Sequence, residues 1–362
     1  MIRALVIGAG AVVDRLYCSA LGRLEKAGAV RVAGVVDTNE SRVRQIADRF
    51  RKSHAYLSCN EAFQADSYDL AIVASPPGLH ADHACVALEH GCHVLCEKPM
   101  SVTSADARRM TAAAESAERT LGVALIRRFL PNFADVAALV SEGHLGDDLR
   151  FTYREGETYG WPVATGAAFE RDRAGGGALM DRGVHMLDQL SWIFGEPTVE
   201  EAFDDSLVGG VETNSVVRLK FSNARGTLQV SWEYPLHNGL RIWGRFGEVV
   251  LDGTDIRTYR RRQGSSWTRV PARTDWPADM ARTGGKRVRP GNNFACMELQ
   301  LVAMLRCITY GEAFPVTGSQ ATRVQETIDD AYAVARPLSC LWLPEDEQRA
   351  ARAMHWKAGE SV

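Results

Sequence analysis

The chain has 362 residues, 46% hydrophobic and 24% charged, the mixture of a globular protein with room for two domains. Its 42 basic and 45 acidic side chains leave a net charge of −3, which argues against a nucleic-acid partner held by phosphate neutralisation. No apolar run approaches the roughly eighteen residues needed to span a bilayer, so no membrane role is expected. Met1–Gly8 reads as a buried strand entering a glycine turn, not as a signal peptide. Only six of the basic residues are Lys and 36 are Arg, a bias that a GC-rich genome accounts for. A Lys that persists against it is a compact, tunable charge worth following.

Strand alternates with helix from the start. Ile2–Ile7 is a continuous apolar strand, then comes the turn Gly8-Ala9-Gly10-Ala11-Val12, then Asp14–Ala27 with Leu16, Ala20, Leu21 and Leu24 at helical spacing. Val30–Val36 is a second apolar strand and ends at Asp37. This is the order of a dinucleotide site: Gly8 permits the tight turn, Gly10 lets the backbone approach a pyrophosphate, and the helix N-terminus stabilises it. Val13 stands where the motif has its third glycine. Asp37 suits the ribose hydroxyls and repels a 2′-phosphate, favouring NAD over NADP, whereas Arg42 on the next helix argues the other way. Predicted strands at Leu70–Ala74, His93–Cys96 and Gly122–Ile126, with helices at His80–His90 and Ser104–Ala117, continue a parallel, doubly wound sheet. Ser75-Pro76-Pro77-Gly78 falls at the carboxyl end of its strand, where ligands dock in such sheets.

The eight cysteines show no regular framework and no CxxC pair. His80, His83, Cys85, His90, Cys92, His93 and Cys96 crowd one segment without zinc spacing, so no metal is expected. The compartment reads as reducing and cytoplasmic.

The run Pro76-Pro77-x-x-His80, followed by Ala87-Leu88-x-x-Gly91-x-His93-Val94-Leu95-Cys96-Glu97-Lys98-Pro99, resembles the glucose–fructose oxidoreductase / inositol dehydrogenase (Gfo/Idh/MocA) family. Gly175-Gly176-Gly177-Ala178-Leu179-Met180-Asp181-Arg182-Gly183-Val184-His185-Met186-Leu187-Asp188 resembles that family's second signature, and Arg128-Phe129-x-Pro131 its crossover between domains. The likeness runs from Met1 to about Arg336. It implies that Lys98 hydrogen-bonds the reacting hydroxyl, that His185 is the acid/base, and that a cis peptide precedes Pro99. The residues support proton chemistry on their own terms as well. Asp181, His185 and Asp188 stand at i, i+4 and i+7, one face of a regular helix, and a carboxylate beside His fixes its tautomer and favours its charged form.

After Arg128 the pattern changes. Leu149–Glu155, Val211–Phe221, Gly226–Trp232, Arg241–Arg245 and Glu248–Leu251 alternate or read as short apolar strands, predicting a mostly antiparallel sheet with one covered face. Phe294–Tyr310 and Gln320–Ala335 read as closing helices, and Pro344–Lys357 as a terminal amphipathic helix. Arg257 to Arg289, with ten basic residues against Asp275 and Asp279, reads as a solvated loop, its other readings being contact with a substrate phosphate or with an acidic neighbouring subunit. Glu155 to Trp161 mixes acids with aromatics, which suits a polyol or amino sugar.

The expected fold is α/β: an N-terminal Rossmann doubly wound parallel sheet over residues 1–126, then a C-terminal α+β domain with a large, mostly antiparallel open sheet over 127–336, then a tail over 337–362. The expected catalytic residues are Lys98, Asp181 and His185. NAD is expected at Gly8, Gly10, Ala11, Val12, Asp37, Arg42, Ser75, Pro76, His80, Glu97, Lys98 and Arg128, with NADP less favoured. Tyr159, Trp161, Asp181 and Arg182 are the candidate substrate contacts. The expected reaction is hydride transfer between nicotinamide and a secondary hydroxyl or ketone of a sugar, aminoglycoside-type amino sugar or cyclitol. Alternatives are a nucleotide-sugar ketoreductase, an NAD-assisted glycosidase and a non-catalytic NAD-binding sensor. The resemblance further implies a homodimer or homotetramer through the C-terminal sheet.

Overall fold

The computed structural model describes residues 1–162, 166–207, 210–252, 258–272, 282–283, 286–287, 293–338 and 344–355. Two compact units emerge: residues 1–130 with 274–322, and residues 131–273 with 323–362. Contiguous halves dividing near residue 126 are the expectation from sequence, so the return of 274–322 to the first unit is a difference.

The first unit is built on β1 (Ile2–Ile7), β2 (Val30–Val36), β3 (His54–Tyr56), β4 (Leu70–Val73), β5 (His93–Cys96) and β6 (Leu121–Val123). They pair in parallel in the order β3-β2-β1-β4-β5-β6. Residues 4–7 and 70–73 are at most 1% exposed, as continuous apolar runs are when both faces of a sheet are covered. Helices α1 (Cys18–Lys26), α2 (Glu40–Ala47), α3 (Cys59–Ala65), α4 (His80–Glu89) and α5 (Ser104–Ser116) return the chain between strands. Asn39, Ser58 and Thr103 cap three of them by accepting amide hydrogens from Arg42, Glu61 and Asp106. A π-turn, Val13–Tyr17, precedes α1 where an unbroken helix is the expectation. Strand order reverses between β1 and β4, so the loops after these strands flank the switch point at which doubly wound sheets bind ligands. The strand expected over Gly122–Ile126 ends at Val123, and Ile126–Phe129 is a 3₁₀ turn.

The second unit begins with α6 (Pro131–Ser141) and β7 (Leu149–Gly156), followed by α7 (Arg171–Ala174) and α8 (Val184–Phe194). Then come β8 (Thr198–Asp204), β9 (Asn214–Lys220), β10 (Ala224–Ser231), β11 (Gly239–Trp243), β12 (Glu248–Asp252), β13 (Thr258–Gln263) and β14 (Ser266–Pro271). The short strands β15 (Arg282–Thr283) and β16 (Lys286–Arg287) form a separate ladder. Helices α9 (Asn293–Tyr310) and α10 (Gly318–Ala333), strand β17 (Ala335–Pro337) and helix α11 (Glu345–Ala353) complete the described chain. The nine-stranded sheet runs β14-β13-β12-β11-β7-β10-β9-β8-β17, antiparallel except for β7 with β10 and β8 with β17.

Part of the segment expected as a solvated loop is a hairpin: β13 and β14 extend the sheet edge over residues 258–271. Apolar alternation is weak there, since β13 carries Arg260, Arg261 and Arg262 in succession; the Arg260 and Arg262 guanidinium groups stand 5.5 and 5.6 Å from the Trp267 ring centroid. Of the rest of Arg257–Arg289, all but Ala272, β15 and β16 lies outside the described residues. α9 returns to the first unit because its apolar side packs on α1, where Arg23 reaches Glu298 at 2.7 Å. Seven cysteines are free, and burial pushes Cys92 and Cys296 up to about 12, the behaviour of small core hydrophobes; Cys340 is outside the described residues. Among the described residues no helix is long and apolar enough to cross a membrane.

The second unit's core centres on Phe151 of β7, 1% exposed, with Phe194 and Phe221 rings at 5.5 and 5.8 Å. Phe151→Ala is expected to destabilise this unit by about 3–5 kcal/mol, and Phe151→Leu by less. Urea unfolding followed by circular dichroism checks this, and matching midpoints for wild type and Phe151→Ala would contradict it.

Candidate active site

The turn after β1 has the shape a dinucleotide needs. Gly8 sits at φ +104° and donates its N–H to Val36 O at 2.8 Å; a Cβ there would collide with the Ala74 carbonyl. Gly10 has open space where its Cβ would stand, which leaves room for a phosphate group beside the backbone. Ala11 and Val12 begin the helical segment that follows. Asp37 is aligned by two amides, Ala9 N–H on Oδ2 at 2.7 Å and Asn39 N–H on Oδ1 at 2.8 Å. Each carboxylate oxygen keeps a second lone pair for a ribose hydroxyl. Arg42 Nε donates to Ala9 O at 3.0 Å, so acid and base grip the same loop residue. These residues fit NAD at this loop.

Around the neighbouring strand ends, several expected cofactor residues brace loops. His80 is 1% exposed, and its two ring nitrogens lie 2.8 Å from Pro99 O and 2.7 Å from Ser75 O. Burial pushes His80 down to about 4, so at neutral pH the ring carries one N–H and donates it to only one of these two carbonyls. Ser75 Oγ meets His83 Nδ1 at 2.9 Å, while Pro76 is exposed at the loop tip. Glu97 is buried; it accepts the Tyr17 hydroxyl at 2.8 Å and the Lys98 N–H at 3.1 Å, and burial raises it. Lys98 follows, half-buried, with a cis peptide to Pro99. Arg128 is buried in the 3₁₀ turn. Thus the His/Cys-rich segment is spent on loop ties and core, with His90 stacked 4.2 Å from Phe63.

In the second unit a π-turn, Leu179–Gly183, leads directly into α8. Asp181 lies in the π-turn and His185 and Asp188 in α8, so the phase assumed for one regular helix face does not hold. Exposure differs accordingly: Asp181 is half-buried, His185 9% exposed and Asp188 0%. Trp232 Nε1 donates to Asp181 Oδ2 at 3.2 Å. The Tyr159 ring lies 4.7 Å from Trp232 and 5.5 Å from Phe169, so three aromatic rings gather beside Asp181. Trp232 and Phe169 escaped the sequence reading, since neither stands in a motif. Trp161 is 44% exposed. Arg182 is paired with Glu155 at 3.5 Å and Glu157 at 3.1 Å, so the acidic stretch first meets its own arginine. Lys98 belongs to the first unit, and Asp181 and His185 to the second.

Comparison with known proteins bears on both units. Residues 2–125 match the model described as "Oxidoreductase family, NAD-binding Rossmann fold", and residues 133–250 match the GFO/IDH/MocA C-terminal domain. D-glucoside 3-dehydrogenase of Escherichia coli (strain K12) is 30% identical over 199 residues, 55% of this chain and 56% of that protein; the chain thus matches about half that relative's length. The scyllo-inositol 2-dehydrogenase (NADP(+)) IolU of Bacillus subtilis (strain 168) is 28% identical over 257 residues, 70% of this chain and 76% of that one. Among solved structures, levoglucosan dehydrogenase in complex with NADH and levoglucosan superposes with a TM-score of 0.79 at 18% identity, covering 91% of this chain and 97% of that one. With a glycine turn and aligned acid in a 3-2-1-4-5-6 sheet, a nine-stranded second sheet, and family models matching each, the chain belongs to the Gfo/Idh/MocA oxidoreductase family.

Proposed function

We propose that the chain is an NAD-dependent dehydrogenase that oxidises a secondary hydroxyl of a sugar, amino sugar or cyclitol, or reduces the matching ketone. The observation that carries the reading is the segment 179–194. It holds Asp181 beside three aromatic rings and His185 one turn later, an acid/base group next to a surface suited to a carbohydrate ring. The glucoside and inositol dehydrogenases among the relatives support the same substrate class.

NAD, when bound, supplies the hydride acceptor. His185 takes the hydroxyl proton as the carbon gives up hydride, and returns it in the reductive direction. Lys98 donates to the same oxygen and stabilises its developing negative charge. Asp181, held by the Trp232 indole N–H, accepts a neighbouring substrate hydroxyl, and Tyr159 and Phe169 pack against the ring's C–H face. Asp37 binds the adenosine ribose through lone pairs its two amide bonds leave open. Arg182, shared by Glu155 and Glu157, offsets one of their two negative charges, so the loop suits a neutral polyol and keeps one net negative charge for a cationic amino sugar. A homo-oligomer through the polar face of the nine-stranded sheet and a cytoplasmic setting complete the reading.

His185→Ala is expected to lower kcat by about 10²–10⁴-fold with NAD affinity unchanged, measured as NADH formation across sugars and cyclitols and by cofactor fluorescence titration. Near-normal turnover would remove His185 from the mechanism. Asp37→Ala should shift kcat/KM from NAD toward NADP; an unchanged cofactor ratio would show that Asp37 does not read the ribose. Light scattering of the purified chain is expected to give a dimer or tetramer mass, and a monomer at micromolar concentration would contradict the oligomer.

A further inference from the structure

The three-glycine turn is shaped by a carboxylate that no sequence pattern singled out. Glu212, in the segment before β9, is 0% exposed. Its Oε2 accepts the Gly177 N–H at 2.9 Å, its Oε1 the Leu179 N–H at 3.0 Å, and its main-chain carbonyl the Ala178 N–H at 3.0 Å. Three consecutive amides at the start of the segment bearing Asp181 and His185 therefore end on one residue. The glycines are the imprint of this approach. A Cβ on Gly177 would overlap the Glu212 carbonyl oxygen, and one on Gly176 the Tyr332 hydroxyl.

The carboxylate's remaining capacity is also filled. Tyr332 O–H donates to Oε1 at 2.8 Å, and the Arg171 guanidinium stands 3.5 Å from Oε2, stacked 4.4 Å over the Tyr332 ring centroid. Opening amides of a helix have no partner within it, and a negative charge beside them is favoured by the helix dipole. Here that charge is locked from both sides, by Arg171 on α7 and Tyr332 on α10.

We propose that Glu212 is a positioning residue for the proton-transfer segment, holding Asp181 and His185 in register through the amides of residues 177 to 179. This rests on the reading of Asp181 and His185 as site residues. Asp181 follows Leu179 by two residues, so a loosened start moves it directly. Misplacement by about 1 Å costs on the order of 10²-fold in rate. Burial, abetted by Asp204, pushes Glu212 up to about 7, while Arg171, the Tyr332 hydroxyl and the Leu179 amide pull it down. The donors around it oppose the effect of burial and favour the carboxylate form that accepts the amides.

Glu212→Gln tests this, because the amide keeps the shape but turns an N–H₂ toward backbone N–H donors. Three readouts are compared with wild type: hydrogen–deuterium exchange of residues 177–185, NAD binding by fluorescence, and steady-state kinetics. Expected are exchange at 177–179 faster by about tenfold, NAD affinity within about twofold, and kcat lower by about 10–100-fold with KM nearly unchanged. Unchanged exchange, or faster exchange with wild-type kcat, would overturn the proposal, as would kcat lost only in proportion to NAD binding. If Glu212→Gln does not fold, Tyr332→Phe removes one donor and keeps the charge. It should shift exchange and kcat the same way by about threefold, and wild-type values would overturn the proposal. Should wild type turn over no sugar or cyclitol, the functional reading fails, while the exchange result still decides whether Glu212 holds the segment.

Discussion

A buried carboxylate is tolerated only when its lone pairs are met, and this requirement organises both units. Glu97 takes the Tyr17 hydroxyl and the Lys98 amide at the end of β5. Asp204, 1% exposed at the end of β8, takes the Ser206 amide and hydroxyl and the His355 ring. Glu248, 1% exposed, joins β11, β12 and β13 through Arg241 and Arg262. Glu212 takes the opening amides of the segment that leads into α8. Each acid stands where one element must be fixed against another. An apolar residue of similar size would pack there, but it could not specify which donors to face. The cost of burial is thereby converted into geometry.

Much of the first unit was legible because its signals are local. An apolar run of six, a glycine turn and an acid after the next strand each depend on neighbours in sequence, and β1, Gly8 and Asp37 follow. The parallel order follows too, since strands separated by helices have few other ways to pair. Less legible was what the acid does besides facing ribose. Asp37 also fixes the loop through Ala9 and Asn39, a role set by backbone direction.

The second unit hid more, for identifiable reasons. The π-turn Leu179–Gly183, like Val13–Tyr17 in the first unit, breaks the 3.6-residue period on which face assignments rest, and nothing in composition marks the extra residue. The hairpin β13–β14 is rich in arginine, with Arg260 and Arg262 guanidinium groups over the Trp267 ring, and so lacks the alternation of hydrophobes that marks a strand. Glu212 sits 33 to 35 residues from the amides it holds, so its partner could be found only once β9 and the glycine turn were in place. The Gly175-Gly176-Gly177 run was conspicuous, yet its causes were the left-handed φ of +78° at Gly175 and the atoms that press on Gly176 and Gly177, the Tyr332 hydroxyl and Glu212 O.

The skew toward arginine acquires a physical meaning in the same terms. Arginine carries the fixed ion pairs: Arg171 with Glu212, Arg182 with Glu155 and Glu157, and Arg241 and Arg262 with Glu248. A planar fork suits that task, because it meets carboxylates along set directions and stacks on rings such as Tyr332. Of the four lysines whose side chains are described, Lys26, Lys52 and Lys220 are exposed, and only Lys98 is half-buried. In a chain that uses arginine for structure, the proposed task of Lys98 calls for the other kind of cation. A developing alkoxide is one oxygen and not two, and a compact ammonium with three rotatable donors concentrates its charge there while a delocalised guanidinium would spread it.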